Sequence, residues 1–163
     1  MLETYSLNLT SKDDECKKMG LKTPLIEIPN SKTNYNVLRA AMIPSMLKIL
    51  AENKSADYPQ KIFETGRVFR KAKELEESES LAVALTNSNF TEAKQILEYL
   101  SRMLSFELEL KKSEHESLIA GRTAKIKING KDAGIMGEVS PQVLQNFGLE
   151  VPIAVFEIDV SKL

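Results

Sequence analysis

The run AKIKINGKDAGIMGEV, residues 124–139, constrains the fold most strongly. Ala124, Ile126 and Ile128 alternate with Lys125 and Lys127, the pattern of a strand with one buried side. Asn129-Gly130 follows, the residue pair favoured in two-residue hairpin turns, and residues 132–139 read as the returning strand. Two strands joined so tightly pair antiparallel.

Other elements can be read on either side. Residues 2–9 alternate loosely, as an extended edge. Thr10 or Ser11 can cap a short helix carrying Asp13, Asp14 and Glu15 in its first turn, stopped by Gly20. Residues 25–28 form a short strand ended by Pro29, and 30–36 are turn-like. The apolar stretch 37–50 contains Pro44, which costs about 3 kcal/mol inside a helix. The stretch is therefore expected as two pieces: a turn of helix holding Val37, Leu38, Ala41 and Met42, then a helix starting near Pro44 and running to about Asn53.

Residues 61–69 read as a strand, 71–80 as a charged, solvated hairpin loop, and 81–86 as a strand. Asn89 caps a helix over 90–104 with Phe90, Ala93, Ile96, Leu97, Leu100, Met103 and Leu104 on one face. Residues 106–110 alternate strictly. Ser140-Pro141 opens a helix that Gly148 ends, and 151–160 is a final strand. Crossover helices of the parallel-sheet kind are missing. The fold class is therefore α+β, a mostly antiparallel sheet flanked by helices, in a single domain over 1–163.

Composition narrows the chemistry. The net charge is -1, so any RNA contact must come from a local patch rather than a global attraction. No apolar run reaches 18 residues and the N-terminal residues show no basic-then-apolar pattern, so neither a membrane span nor a signal peptide is expected. The single cysteine, Cys16, excludes an internal disulfide, which suits the cytoplasm. His115 is the lone histidine, expected in an exposed loop, so a metal site is short of ligands. Ser117 and Ser140 have no evident base beside them, and Ser140 reads as a helix cap. Glu76, Glu77 and Glu79 read as a solvated run.

Four segments carry a resemblance to a known family: YNVLRAAMIPSMLKILAEN, YPQKIFETGRVF, GRTAKIKINGKDAGIMGEVSP and FGLEVPIAVFEIDV. In this order they resemble the β subunit of phenylalanyl-tRNA synthetase, in its archaeal and eukaryotic type. The resemblance implies a catalytic-like core domain with the antiparallel fold of class II aminoacyl-tRNA synthetases, cut from a longer chain that carries editing and RNA-associated domains elsewhere. It also implies a non-catalytic module that packs against a catalytic α subunit in an α2β2 complex, touches tRNA only indirectly, and leaves ATP and magnesium to that partner. The alternatives are a stand-alone paralogue of the synthetase or biotin-ligase type, binding ATP or a small acid, and a tRNA-binding module.

The residues bear on catalysis as follows. A class II site meets phosphate charge with arginines, through bidentate contacts and stacking on adenine. The polar members of strand 61–69, Glu64, Gly66 and Arg67, are the natural candidates, because polar groups inside a sheet are costly unless paired. Here glutamate precedes arginine, the reverse of the active pattern, and the final segment 155–163 has neither glycine nor arginine. No catalytic, cofactor-binding or metal-binding residue is therefore assigned. Glu64 and Arg67 are expected as a structural ion pair on the central strand of the sheet, with Arg67 on another carboxylate as the variant of that reading, and Gly66 as a close-packing or bulge position. Gly121-Arg122 reads as a turn entering a strand, or as an RNA or partner contact. The methionine-rich group Met42, Ile43, Met46, Leu47 and Ile49 has two readings: ordinary core, or a subunit interface with the α subunit or a second copy.

Overall fold

The computed structural model describes residues 1–71 and 75–163. The strands are β1 (Leu2–Glu3), β2 (Leu9–Thr10), β3 (Ile26–Glu27), β4 (Val37–Leu38), β5 (Lys61–Lys71), β6 (Leu75–Thr86), β7 (Leu108–Lys112), β8 (Leu118–Ile128), β9 (Lys131–Val139) and β10 (Ile153–Asp159). The helices are α1 (Ile43–Glu52), α2 (Phe90–Leu104) and α3 (Pro141–Phe147), with one π-type turn at Asp13–Lys17 and a 3-10 turn at Val160–Lys162.

A seven-stranded sheet runs in the order β1-β5-β6-β10-β9-β8-β7. Every pair is antiparallel except β1 with β5. The last strand, β10, inserts between β6 and β9 and is the central one. The strand at 61–69 is therefore not central: β5 is second from the edge, covered by two residues of β1. Asn129 (φ 51°) and Gly130 (φ 77°) both adopt left-handed backbone at the β8–β9 turn, as a two-residue hairpin requires.

Side chains alternate across the sheet and build two cores. α2 covers one face, laying Ala93 and Leu97 on Val83, Leu85, Ile126, Met136, Phe156 and Ile158. α1 and α3 cover the other, with Met46, Leu47, Leu50, Val143 and Phe147 against Ile62, Ala82, Ala84, Ile153 and Val155. Both helix entries are docked by a glutamate from a strand. Glu138 Oε1 accepts from Phe90 N (2.9 Å) at the start of α2. Glu157 Oε2 accepts from Met42 N (2.9 Å) and Ile43 N (3.2 Å) at the start of α1, where no local side chain caps the helix. A carboxylate there satisfies orphan amides and meets the positive end of the helix dipole. Asn89 Oδ1 accepts from Glu92 N (3.1 Å), and Ser140 caps α3 through Val143 N (3.4 Å), as the sequence predicts.

Two expectations are corrected. Val37 and Leu38 form a strand, not a turn of helix: Val37 lies between Thr10 and Glu27 in a small β2-β4-β3 sheet. A β-branched residue flanked by two strands extends, and the helix waits until Ile43, with Pro44 in its first turn. The charged stretch 71–80 is not a loop throughout. β6 begins at Leu75, and the ladder pairs Arg70 with Glu76, Phe69 with Glu77 and Arg67 with Glu79. Opposite charges facing each other across an antiparallel pair favour the extended ribbon. The remaining part of that predicted loop, 72–74, lies outside the described residues.

Candidate functional site

Glu64 and Arg67 do not form an ion pair with each other. Residues three apart on a strand point to opposite faces. Glu64 faces the α1 side and is 1% exposed, whereas the Arg67 side chain is 62% exposed and reaches Glu77 (Nη1 to Oε1, 2.8 Å). The true partner of Glu64 is Arg39, itself 1% exposed, with Nη1 donating to Oε1 at 2.8 Å. Arg39 Nη1 also donates to Ser6 Oγ (2.7 Å), and its Nε donates to the Arg67 carbonyl (2.7 Å). Glu64 Oε1 accepts further from Ser6 N (3.1 Å) and Ser6 Oγ (2.8 Å). This network ties the N-terminal segment and the segment before α1 to β5. Gly66 leaves room for it: a Cβ there would collide with the Arg39 guanidinium.

The five-residue group on α1 and the turn before it divides. Met42, Met46 and Leu47 are wholly buried and Ile43 nearly so, all inside the α1–sheet core. Their methionines fill the core of the chain. Ile49 is partly exposed and lines a shallow depression with Tyr5, Leu7, Leu9 and Tyr35. Tyr5 (86%) and Leu7 (65%) are among the most exposed large apolar residues.

On the α1 face lies a cavity of about 230 Å³, walled by Glu15, Ser80, Glu157 and apolar side chains that include Met19, Ile43 and Leu118. Glu15 Oε2 accepts from Ala40 N (3.2 Å), so Glu15 and Glu157 together hold the backbone at 40–43. Burial pushes the Glu15 carboxyl up to about 8 and also raises Glu157. Arg70 and Asp159 lie at the exposed rim. The two buried carboxyls of the floor, protonated or ionised, bring no positive charge for phosphate oxygens.

His115 is half-buried beside this cavity rather than in an exposed loop. Its Nδ1 accepts from Ser117 N (3.3 Å), and burial lowers its pKa. Ser117 is buried and donates to the Met19 carbonyl (2.6 Å). Gly121-Arg122 is an irregularity inside β8, where the register shifts, and Arg122 Nη1 donates to Glu138 Oε2 (2.6 Å). Cys16 is partly buried, which raises its thiol pKa. Among the described residues no three His, Cys, Asp or Glu side chains gather as a metal site would need, and no helix is long and apolar enough to cross a membrane.

Arg39, Glu15 and Glu157 were not singled out from the sequence. Glu157 carried a signal: it sits in VFEIDV as Glu64 sits in KIFETG, a carboxylate flanked by apolar residues within a strand. Arg39 lies in an irregular segment without a readable period, and Glu15 read only as one of three acids in the first turn of a short helix.

An antiparallel sheet of this order, with α2 on one face and α1 and α3 on the other, defines the core fold of a class II aminoacyl-tRNA synthetase. The chain superposes on PylSc, a pyrrolysyl tRNA synthetase of Desulfitobacterium hafniense, with a TM-score of 0.75 over 99% of this chain and 61% of that one, at 18% identity. The family is more specific than the fold. The model of the phenylalanyl tRNA synthetase beta chain CLM domain matches residues 1–160, and the chain belongs to that family. It is 44% identical over 170 residues to the phenylalanine–tRNA ligase beta subunit of Pyrococcus horikoshii, covering 99% of this chain and 30% of that protein. With the beta subunit of Thermococcus kodakarensis the identity is 39% over 185 residues, covering 99% and 32%. The chain thus spans about a third of the length of these relatives.

Proposed function

We propose that the chain is the non-catalytic, catalytic-like module of a cytoplasmic phenylalanine–tRNA ligase β subunit, one domain of a longer protein. It packs against the α subunit and supports assembly of an α2β2 enzyme that charges tRNA(Phe). ATP, magnesium and phenylalanine belong to the α subunit in this reading, and tRNA reaches this module only indirectly. The observation that carries it is the disposition of charge on the α1 face. Buried Arg39 is committed to Glu64, and the cavity floor presents Glu15 and Glu157 where adenylate formation needs cations. The exposed depression where Tyr5, Leu7, Leu9 and Ile49 meet Lys48 and Glu52 supplies a surface for a partner.

Phenylalanine-dependent exchange of pyrophosphate into ATP tests the catalytic half. The chain alone is expected to give no exchange above background, and the complete αβ enzyme to exchange. Exchange by the chain alone would overturn the reading.

A further inference from the structure

Among the described residues four buried side-chain atoms lack a hydrogen-bond partner: Glu15 Oε1, Asn36 Oδ1, Ser80 Oγ and Glu157 Oε1. Three of them belong to residues lining the cavity of about 230 Å³ on the α1 face. Glu15 is 3% exposed, Glu157 7% and Ser80 1%. Each carboxyl uses Oε2 to hold the backbone at 40–43 and leaves Oε1 idle. The Ser80 hydroxyl lies near enough to Glu157 to help its carboxylate as a donor, but one hydroxyl proton cannot serve both carboxyls. Buried polar atoms left so are costly and call for a missing group.

We propose that the cavity is a binding site for a small organic cation, a primary ammonium held by Glu15, Glu157 and Ser80 with a short apolar tail along Met19, Ile43 and Leu118. The chemistry of the idle atoms selects this class. An ammonium brings three N–H donors and no acceptor, matching three idle oxygens. Its charge offsets two carboxylates that otherwise repel each other. An anion meets those same carboxylates, and a neutral alcohol brings one donor. Water can bridge the oxygens but leaves apolar walls wet, whereas 230 Å³ corresponds to about seven waters of liquid volume, enough for a small organic molecule. The site is independent of the scaffold role proposed above.

Binding is coupled to protons. Burial holds the Glu15 carboxyl protonated up to about pH 8, and a bound cation draws that proton off. The other charged and titratable groups facing the pair are Arg39, Arg70 from β5, Asp159 from β10 and His115 before β8. Arg39 and Arg70 already lower the two carboxyls, and Arg39 is committed to Glu64.

The test titrates the chain with n-hexylamine, using n-hexanol and hexanoate as neutral and anionic controls, followed by amide NMR shifts. The expected result is roughly millimolar or tighter binding of the amine, at least about tenfold tighter than the alcohol, with shifts centred on residues 40–43, Ser80 and Glu157. Affinity should rise between pH 6 and 8, by up to about tenfold per unit, and fall about tenfold in Glu157→Gln. The wild-type shifts keep the proposal falsifiable if that variant loosens α1. Equal binding of hexanol, shifts centred elsewhere, or no response to the amine well above millimolar concentration would overturn it. None of these outcomes bears on pyrophosphate exchange, so the two proposals fail separately.

Discussion

Replacing Glu64 with alanine should be the most damaging single change in β5. The substitution leaves the Arg39 guanidinium, 1% exposed, without its counter-charge, and strips Ser6 N of its acceptor. Removing one member of a buried ion pair costs about 3–5 kcal/mol, since the remaining charge is desolvated and unpaired. For a chain of this size that lowers Tm by about 6–20 °C. The comparison is Glu77→Ala, which removes the exposed partner of Arg67 and should cost about 0–1 kcal/mol. Replacing both ends, Arg39→Met with Glu64→Leu, should recover most of the loss, because no uncompensated charge stays buried. Chemical denaturation monitored by circular dichroism measures all four proteins. If Glu64→Ala and Glu77→Ala are equally mild, the buried network does not hold the N-terminal segment to the sheet.

Three further outcomes follow from the same structure. Gly66→Ala forces a methyl group into the Arg39 guanidinium and should destabilise by about 1–3 kcal/mol, with the loss shrinking in an Arg39→Met background; a thermal-melt double-mutant cycle measures the coupling. Glu15 has a carboxyl pKa of about 8 in the fold against an ordinary value of 4.5, so the native state holds a proton that the unfolded chain has released. Stability should therefore fall as pH rises from about 4.5 to about 8, by up to about 1.4 kcal/mol per unit from this group, and Glu15→Gln should flatten that slope in urea titrations. Asn89→Ala removes the side-chain acceptor for Glu92 N and should cost about 1 kcal/mol in the same assay.

Much of the frame was legible because its signals are local. Asn129-Gly130 fixed the β8–β9 turn, Asn89 and Ser140 marked their helices, and strict alternation gave away β8. Signals that depend on distant partners failed. Val37 looks helical beside Ala41 and Met42 until β2 and β3 are known to flank it. The charges of 75–80 look like loop until each is set opposite a residue of β5. The pairing of Glu64 with Arg67 could have been rejected from parity alone, since an odd spacing on a strand separates the faces. Its replacement by Arg39 could not have been found that way, because that contact spans an irregular connection. For Met42, Ile43, Met46 and Leu47, composition did not separate core from interface; in the fold these side chains are buried between α1 and the sheet.

The central claim, that this module holds the α subunit through the depression beside α1, is tested most directly by sedimentation velocity of the chain mixed with the phenylalanine–tRNA ligase α subunit. The account predicts a faster-moving complex for the wild-type chain. With Leu7→Asp combined with Ile49→Asp the two components should sediment separately, while the variant chain keeps its far-ultraviolet spectrum. Separate sedimentation of the wild-type chain, or a complex indifferent to both substitutions, would contradict it.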